Sequence, residues 1–323
     1  MLYLNEKDII QLGIDWSEII NVIENTVYCL NNNEYVQPVK PYLRYRNPKN
    51  RIIAMPAFVG GGIETAGIKW IASFPDNIKV GLPRAHSVVI LNDSYTGQMI
   101  GLINGALLSV IRTAGVSGLI MRYFDDARSL KKINIGIIGW GPIGRYHLKV
   151  CENLFSERIE NVFLYDIRSV IKMSEVEFFD KARVHIVEKW EEAYDKSDIF
   201  ITCTVSEAPY INKPPKQGAL LLNVSLRDYC TSMFRYVKDS IIVDDWEEVC
   251  REKTDIEMMH KEKGLRKEDT RSILDIVCRE AFRDIAIDQP VMFNPMGMAV
   301  FDIAVGTFYL QTAQKYGNGK KLD

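Results

Sequence analysis

Paired metal and redox spacings are what this sequence most plainly lacks. Its six cysteines (Cys29, Cys151, Cys203, Cys230, Cys250 and Cys278) include no C-x-x-C, and its four histidines no H-x-x-x-H. Reduced thiols and no metal are therefore expected. Charge of one sign is also lacking. The 40 Lys and Arg residues face 42 Asp and Glu, which argues against nucleic acid or an anionic membrane as the main partner. The opening MLYLNEKDII is not a basic segment followed by an apolar core. No apolar run approaches the ~20 residues that cross a bilayer, so a cytoplasmic protein is expected. There is no internal repeat and no low-complexity tract.

What is present reads as two domains, since 323 residues exceed the usual single core. Residues 15 to 31 carry Ile19, Ile20, Ile23, Val27 and Leu30 at helical spacing. RIIAMPAFVG, GIKWIASF and SVVILND follow as extended runs separated by GGG and FPDN, which predicts a mixed sheet. MIGLING adds a candidate strand, Ala106 to Phe124 reads as a helix, and DDARSLKK as a polar connection. Short apolar runs then alternate with helical stretches: INIGII, VFLYD, VHIVE, DIFITCTV, GALLLNVSL and SIIVDDW. That alternation predicts a parallel sheet covered on both faces. A charged helical stretch from 247 to 283 and an apolar helix over NPMGMAVFDIAVGTFYLQTAQ complete the chain. The fold class is α/β: a Rossmann-type dinucleotide-binding domain, 125–297, inserted into an α+β domain, 1–124, that is completed by 298–323.

The strongest motif is INIGIIGWGPIG at 133–144. Gly139, Gly141 and Gly144 have the G-x-G-x-x-G spacing between a strand and a helix, where glycines permit the turn, the approach to pyrophosphate and close packing. Pro142 and Ile143 begin the helix, whose N-terminus favours phosphate. The next strand ends in Asp166, the acid expected to take the adenosine ribose hydroxyls and to repel a 2′-phosphate, so NAD is favoured over NADP. Arg168, two residues on, could accommodate that phosphate and so weakens the choice. Ligands of open parallel sheets lie at the carboxyl ends of strands, which selects Thr202, Thr204 and Ser206, and then Ser225 and Asp228. Turn or helix capping explains the hydroxyls equally well, and Asp228 is also a plausible N-cap.

The first domain supplies cations. Lys40, Arg44, Lys69, Arg84 and Arg112 lie in or beside apolar segments. Lys69 is mid-strand between Ile68 and Trp70, where an ammonium costs several kcal/mol unless a partner or bound anion compensates. For any one of them a snorkelling side chain or an internal ion pair is the plainer reading. Five together suggest an anionic substrate, brought to the nicotinamide in a cleft between the domains.

At these residues the chain resembles the ornithine cyclodeaminase and mu-crystallin superfamily over nearly its full length. Within it, MLYLN, VQPVKPYLR, RIIAMP, GIKWI, VVILND, TCTV, IVDDW and NPMGMA look like the branch of N-(2-amino-2-carboxyethyl)-L-glutamate dehydrogenases, which serve siderophore and antibiotic pathways. The resemblance implies NAD-dependent oxidation at the glutamate α-carbon, then imine hydrolysis to L-2,3-diaminopropionate and 2-oxoglutarate. It implies that Arg44, Lys69 and Arg112 hold a substrate carboxylate, that Lys69 is available for proton transfer, and that Asp228 is catalytic. Arg84 and Lys40 are candidates for the remaining carboxylates, and Asn294 joins the cofactor contacts. A homodimer and a substrate-forming synthase as functional partner are also implied.

Two departures count against ornithine cyclisation. The position two residues before Met55-Pro56, acidic in cyclodeaminases, is Ile53, and Asp228 is followed by Tyr229-Cys230 where those enzymes have Cys-Pro-Gly. The alternatives are an imine reductase or alanine-type dehydrogenase using the same residues, and a protein that binds NAD(H) or a small ligand without turnover.

Overall fold

The computed structural model describes residues 1–323. The chain opens with β1 (Leu2–Leu4), α1 (Glu6–Leu12) and α2 (Trp16–Asn31). Asn5 caps α1 in a capping box with Asp8, and the Asp15 carboxylate accepts from Glu18 N–H to cap α2, satisfying amides that a helix start leaves unpaired. Two short strands follow, β2 (Tyr35–Val36) and β3 (Tyr42–Leu43), then the long β4 (Arg51–Val59), β5 (Thr65–Ser73), β6 (Ala85–Asp93) and β7 (Met99–Asn104). Next is α3 (Gly105–Arg128).

The parallel region runs β8 (Ile133–Ile138), α4 (Pro142–Phe155), β9 (Ile159–Tyr165), β10 (Val184–Ile186), α5 (Trp190–Lys196), β11 (Ile199–Thr202) and β12 (Leu220–Asn223). It continues with α6 (Phe234–Val237), β13 (Ile241–Val243), α7 (Trp246–Val249), α8 (Asp255–Lys263), β14 (Arg271–Ser272), α9 (Ile273–Arg279) and β15 (Val291–Asn294). The chain ends in α10 (Ala299–Tyr316) and β16 (Lys320–Lys321).

These elements form two compact units, residues 1–115 with 297–323, and residues 116–296. The changeover at 115/116 falls inside α3, not after it, because the helix is unbroken from Gly105 to Arg128.

In the first unit the sheet order is β16-β1-β7-β6-β5-β4-β2, with β3 also on β4. β4 to β7 pair antiparallel, while β1 and β7 are parallel, so the sheet is mixed as expected. Alternation decides the faces. Met55, Lys69, Val89 and Ile103 share one register row and are all buried. On that face lies α10, which also packs against α2. Gly67 makes the approach possible: a Cβ there would fall 2.8 Å from Ile303 Cδ1 and 2.4 Å from Ile90 O. On the other face Trp70 stays 42% exposed.

In the second unit all eight strands are parallel, in the order β10-β9-β8-β11-β12-β15-β13-β14. Its first five strands have the doubly wound 3-2-1-4-5 arrangement, with the reversal of direction between β8 and β11. Phe200, Leu221, Ile241 and Met292 are among its buried core side chains.

Three expectations are corrected. The charged stretch 247–283 is not one helix: α7, α8, β14 and α9 divide it, with Gly264 in a left-handed cap after α8. NPMGM precedes the final helix, since Asn294 closes β15 and α10 begins at Ala299. One helix does reach membrane-spanning length and apolarity, the 24-residue α3, where a stretch of 18 residues has mean hydropathy 1.2. Of that stretch 72% is buried within the protein, as in a core helix.

Candidate active site

In the second unit the loop after β8 has the shape of a phosphate cradle. Gly139 sits at φ +91°, and a Cβ there would lie 2.5 Å from Cys203 O, so only glycine lets the loop cross the end of β11. A Cβ on Gly144 would lie 2.2 Å from Gly139 O, so the glycine lets α4 start directly beneath the turn. A Cβ on Gly141 would meet nothing within 4 Å, so that side of the backbone is open at the helix start. Pro142 occupies the first helical turn and Ile143 follows. The Ile143 carbonyl accepts from His147, whose other ring nitrogen meets Ser117 Oγ at 2.8 Å. Burial pushes that imidazole down to about 4, so it is neutral and its Nδ1 donates.

Asp166 follows β9. It accepts from Trp140 N–H at 2.9 Å and from Arg168 through Nε and Nη2 at 3.0 and 3.1 Å. Burial raises its pKa, but the Arg168 and Trp140 hydrogen bonds outweigh this and hold it below the ordinary carboxylate value. A dinucleotide fits this donor set, with an open glycine backbone at a helix N-terminus for the pyrophosphate and an ionised acid at the end of the second strand for ribose hydroxyls.

Beside it lies a hydroxyl-lined carboxylate. Asp228 has no exposed surface. Thr204 Oγ1 donates to its Oδ1, Ser225 Oγ to its Oδ2, and the Tyr210 hydroxyl also bonds to it. The turn that carries it is irregular: Leu226 adopts φ +63°, a costly conformation for a branched side chain. Two side chains hold this turn. Asn223 Oδ1 accepts from Leu226 N–H at 3.0 Å, and Asp255 Oδ2 accepts from Asp228 N–H and Tyr229 N–H at 3.2 and 3.1 Å. Asn223 Nδ2 in turn donates to Asp255 Oδ2 and Asn294 Oδ1. Burial lifts Asp255 to about 7, against these hydrogen bonds.

Thr202 and Asn294, expected as cofactor contacts, have no exposed surface, and both side chains bond to Asn223. Thr204 and Ser225 are half-buried and point at Asp228. Ser206 bonds to Ala208 O in its own turn. Asp228 is not an N-cap: the turn at Thr231–Met233 is preceded by Cys230.

In the first unit Lys40, Lys69 and Arg112 are 4%, 2% and 6% exposed. The sequence leaves the partner of Lys69 open between a side chain and a bound anion, and the structure supplies Asp302, on the first turn of α10. Its Oδ1 lies 3.0 Å from both Lys69 Nζ and Arg112 Nε. Lys40 Nζ donates to Gly297 O at 2.6 Å. Gly297 has φ +87°, and a Cβ on it would sit 2.8 Å from Arg112 Nη1, so Lys40 and Arg112 converge on this glycine. Lys69 titrates at about 8: burial lowers it, Asp302 raises it, and Arg112 and Lys40 lower it further.

Arg44 and Arg84 lie farther along the sheet. Arg44 is exposed, donates to Pro48 O and sits over the Tyr42 ring. Arg84 is half-buried and its carbonyl accepts from Phe74 N–H, five residues past Lys69, or roughly 17 Å along the strand. Asp302, Gly297, Tyr210, Asn223 and Asp255 were missed from sequence. A signal existed for Asp302 alone, a single acid within AVFDIAVGTF.

Comparison with known proteins agrees with this geometry. The model of the ornithine cyclodeaminase/mu-crystallin family matches residues 5–315. The N-((2S)-2-amino-2-carboxyethyl)-L-glutamate dehydrogenase of Staphylococcus aureus is 36% identical, over 100% of this chain and 98% of its own. The alanine dehydrogenase of Archaeoglobus fulgidus is 25% identical, over 99% and 98%. Among solved structures, the Thermococcus litoralis Delta(1)-pyrroline-2-carboxylate reductase in complex with NADH and L-proline superimposes with a TM-score of 0.88 at 25% identity, covering 100% of both chains. The match across almost the whole chain and the full-length relative at 36% identity lead to one conclusion: the chain belongs to the ornithine cyclodeaminase/mu-crystallin family.

Proposed function

We propose that this protein is an NAD-dependent oxidoreductase acting on an amino-acid C–N bond, and that its substrate is N-(2-amino-2-carboxyethyl)-L-glutamate. The class follows from relatives and neighbours that are dehydrogenases and reductases of amino acids and their imines, with NADH present in one. The carrying observation for an anionic substrate is that Lys69 and Arg112 share one buried carboxylate oxygen. Two cations against one anion leave positive charge in excess in a desolvated place, which a substrate carboxylate would neutralise. The Staphylococcus aureus relative supports this triacid as that anion.

NAD would be held by the Gly139–Gly144 loop and Asp166, and when bound supplies the hydride acceptor for the glutamate α-carbon. The protein supplies position and charge. Lys69 and Arg112 bind the α-carboxylate and fix the carbon's orientation. Asp228, held by three hydroxyls, accepts the proton released from the substrate amine as the C=N bond forms. Once that proton has passed to solvent, the ionised Asp228 takes a proton from the water adding to that carbon and returns it to the nitrogen. Collapse of the carbinolamine breaks the C–N bond and gives 2-oxoglutarate and L-2,3-diaminopropionate. Ile53 is buried and faces Tyr42 and Ile71 across the sheet, an apolar setting that offers nothing to a terminal ammonium and supports this reading over ornithine cyclisation.

A homodimer is part of the proposal. Support comes from the sheet face opposite α10, where Trp70 is exposed and Ile68, Val88 and Ile90 are half-buried. Trp70→Glu should give a monomer by light scattering.

The test of the reaction is absorbance of NADH with purified protein, NAD and the triacid, followed by assay of 2-oxoglutarate. Equal amounts of both are expected. NADH without 2-oxoglutarate would point to a simple dehydrogenase, and neither product would reject the substrate.

A further inference from the structure

Arg112 meets Asp302 end-on. Its Nε, at 3.0 Å, is the atom engaged, although a guanidinium facing a carboxylate ordinarily prefers the two-bond fork. Asp302 Oδ2 is buried without any hydrogen-bond partner, a costly omission for a group with no exposed surface. An ion pair kept for stability would use both oxygens. Here both cations crowd onto Oδ1, and the Arg112 terminal nitrogens extend over Gly297, where the missing Cβ leaves them room.

We infer that Asp302 is a positioning residue, which gathers the Lys69 ammonium and the Arg112 guanidinium on one oxygen so that their remaining donors face the substrate carboxylate. This rests on the proposed reading only in needing a substrate with an α-carboxylate. The location favours it: Asp302 is in the first turn of α10, where the helix dipole stabilises an anion, and Gly67 lets that turn settle on the strand carrying Lys69. Asp302 also controls charge. The groups acting on Lys69 are Asp302 from α10, Arg112 from α3 and Lys40 from the segment before β3, while its neighbours across the sheet are Met55 and Val89. Asp302 alone favours the ammonium form. Its carboxylate is held below the ordinary value, because Arg112 and Lys69 outweigh the burial that raises it.

The test compares Asp302→Asn with the wild type in steady-state kinetics across pH. The isosteric amide keeps an acceptor and loses the charge. The KM for the amino-acid substrate should rise about 10–100-fold, the range for a charged hydrogen bond. The KM for NAD should stay within about twofold, and the alkaline limb of kcat/KM should move to lower pH, which a packing defect alone would not cause. Gly297→Ala is the second variant. It displaces Arg112 with Asp302 intact, and should raise the same KM while the alkaline limb stays or moves to higher pH, because Arg112 lowers Lys69.

Unchanged KM and limb in Asp302→Asn overturn the inference. If that variant does not fold, as judged by its melting curve, an unchanged substrate KM in Gly297→Ala overturns it instead. Should the wild type fail to oxidise the triacid, the variants are compared by calorimetric binding of L-glutamate. The proposed reaction then fails separately from the role of Asp302. No binding of L-glutamate by the wild type would reject both.

Discussion

Asp302 in the first unit and Asp255 in the second are both buried acids at the centre of polar clusters, yet their surroundings drive them in opposite directions. Asp302 faces an ammonium and a guanidinium, which outweigh its burial and hold its carboxyl below the ordinary value. Asp255 is met by one side-chain amide and two backbone N–H groups, feels Asp228 nearby, and is lifted to about 7. Burial raises both acids, but two cations outweigh it at Asp302, whereas at Asp255 the neutral donors do not and the Asp228 charge adds to it. In the proposed reaction the first cluster holds charge for a substrate carboxylate. The second holds the backbone turn that carries Asp228.

If that division is right, lesions in the two units should separate in kinetics. The largest effect is expected for Asp228→Asn: kcat should fall by about 10³-fold, within the range for a general base, with NAD affinity by fluorescence titration unchanged. Arg112→Lys comes next, raising substrate KM by about 30-fold with a smaller change in kcat, because the lysine donors all sit on one nitrogen and none extends past Asp302 as the guanidinium fork does. A KM effect from Asp228→Asn, or a kcat effect alone from Arg112→Lys, would break the comparison. Asp166→Ala should weaken NAD by about 10-fold, the worth of one charged hydrogen bond, and leave L-glutamate binding untouched.

The smallest effect concerns stability and sharpens the contrast between the two acids. The folded value of Asp255 lies above the unfolded ~3.9, so whatever stability it contributes is present below about pH 4 and is lost as pH rises through 7. Asp302, with its folded value depressed, contributes stability above the unfolded value that is lost as pH falls through the folded one. Asp255→Asn should therefore gain a few degrees in Tm relative to wild type between pH 5 and pH 7.5. A parallel pair of Tm curves would show that Asp255 is already neutral or already paired.

Much of the fold was legible where periodicity and glycine spacing act locally. The stripe of α2, the strands β4 to β6 and the Gly139–Gly144 loop follow from residues close in sequence. The interruption of 247–283 was not, because four short elements with exposed charged faces share the composition of one helix. The cations were legible as lone charges in apolar runs. Their partner was not sought by the same rule, though Asp302 is equally conspicuous and lies 233 residues from Lys69. Asp255 and Asn223 left no local mark. Their role is to hold a turn whose residue at positive φ is a leucine, where glycine or asparagine would have announced it.

The contact between Gly139 and the backbone of Cys203 has a bearing on the order of events. The Gly139 loop rests on the peptide leading to Thr204, and Thr204 holds one oxygen of Asp228. A dinucleotide seated as proposed would press on the same short piece of chain that aims the carboxylate. The expected consequence is a compulsory sequence of binding, with the nucleotide entering first and leaving last, and product-inhibition patterns in which NADH competes with NAD alone.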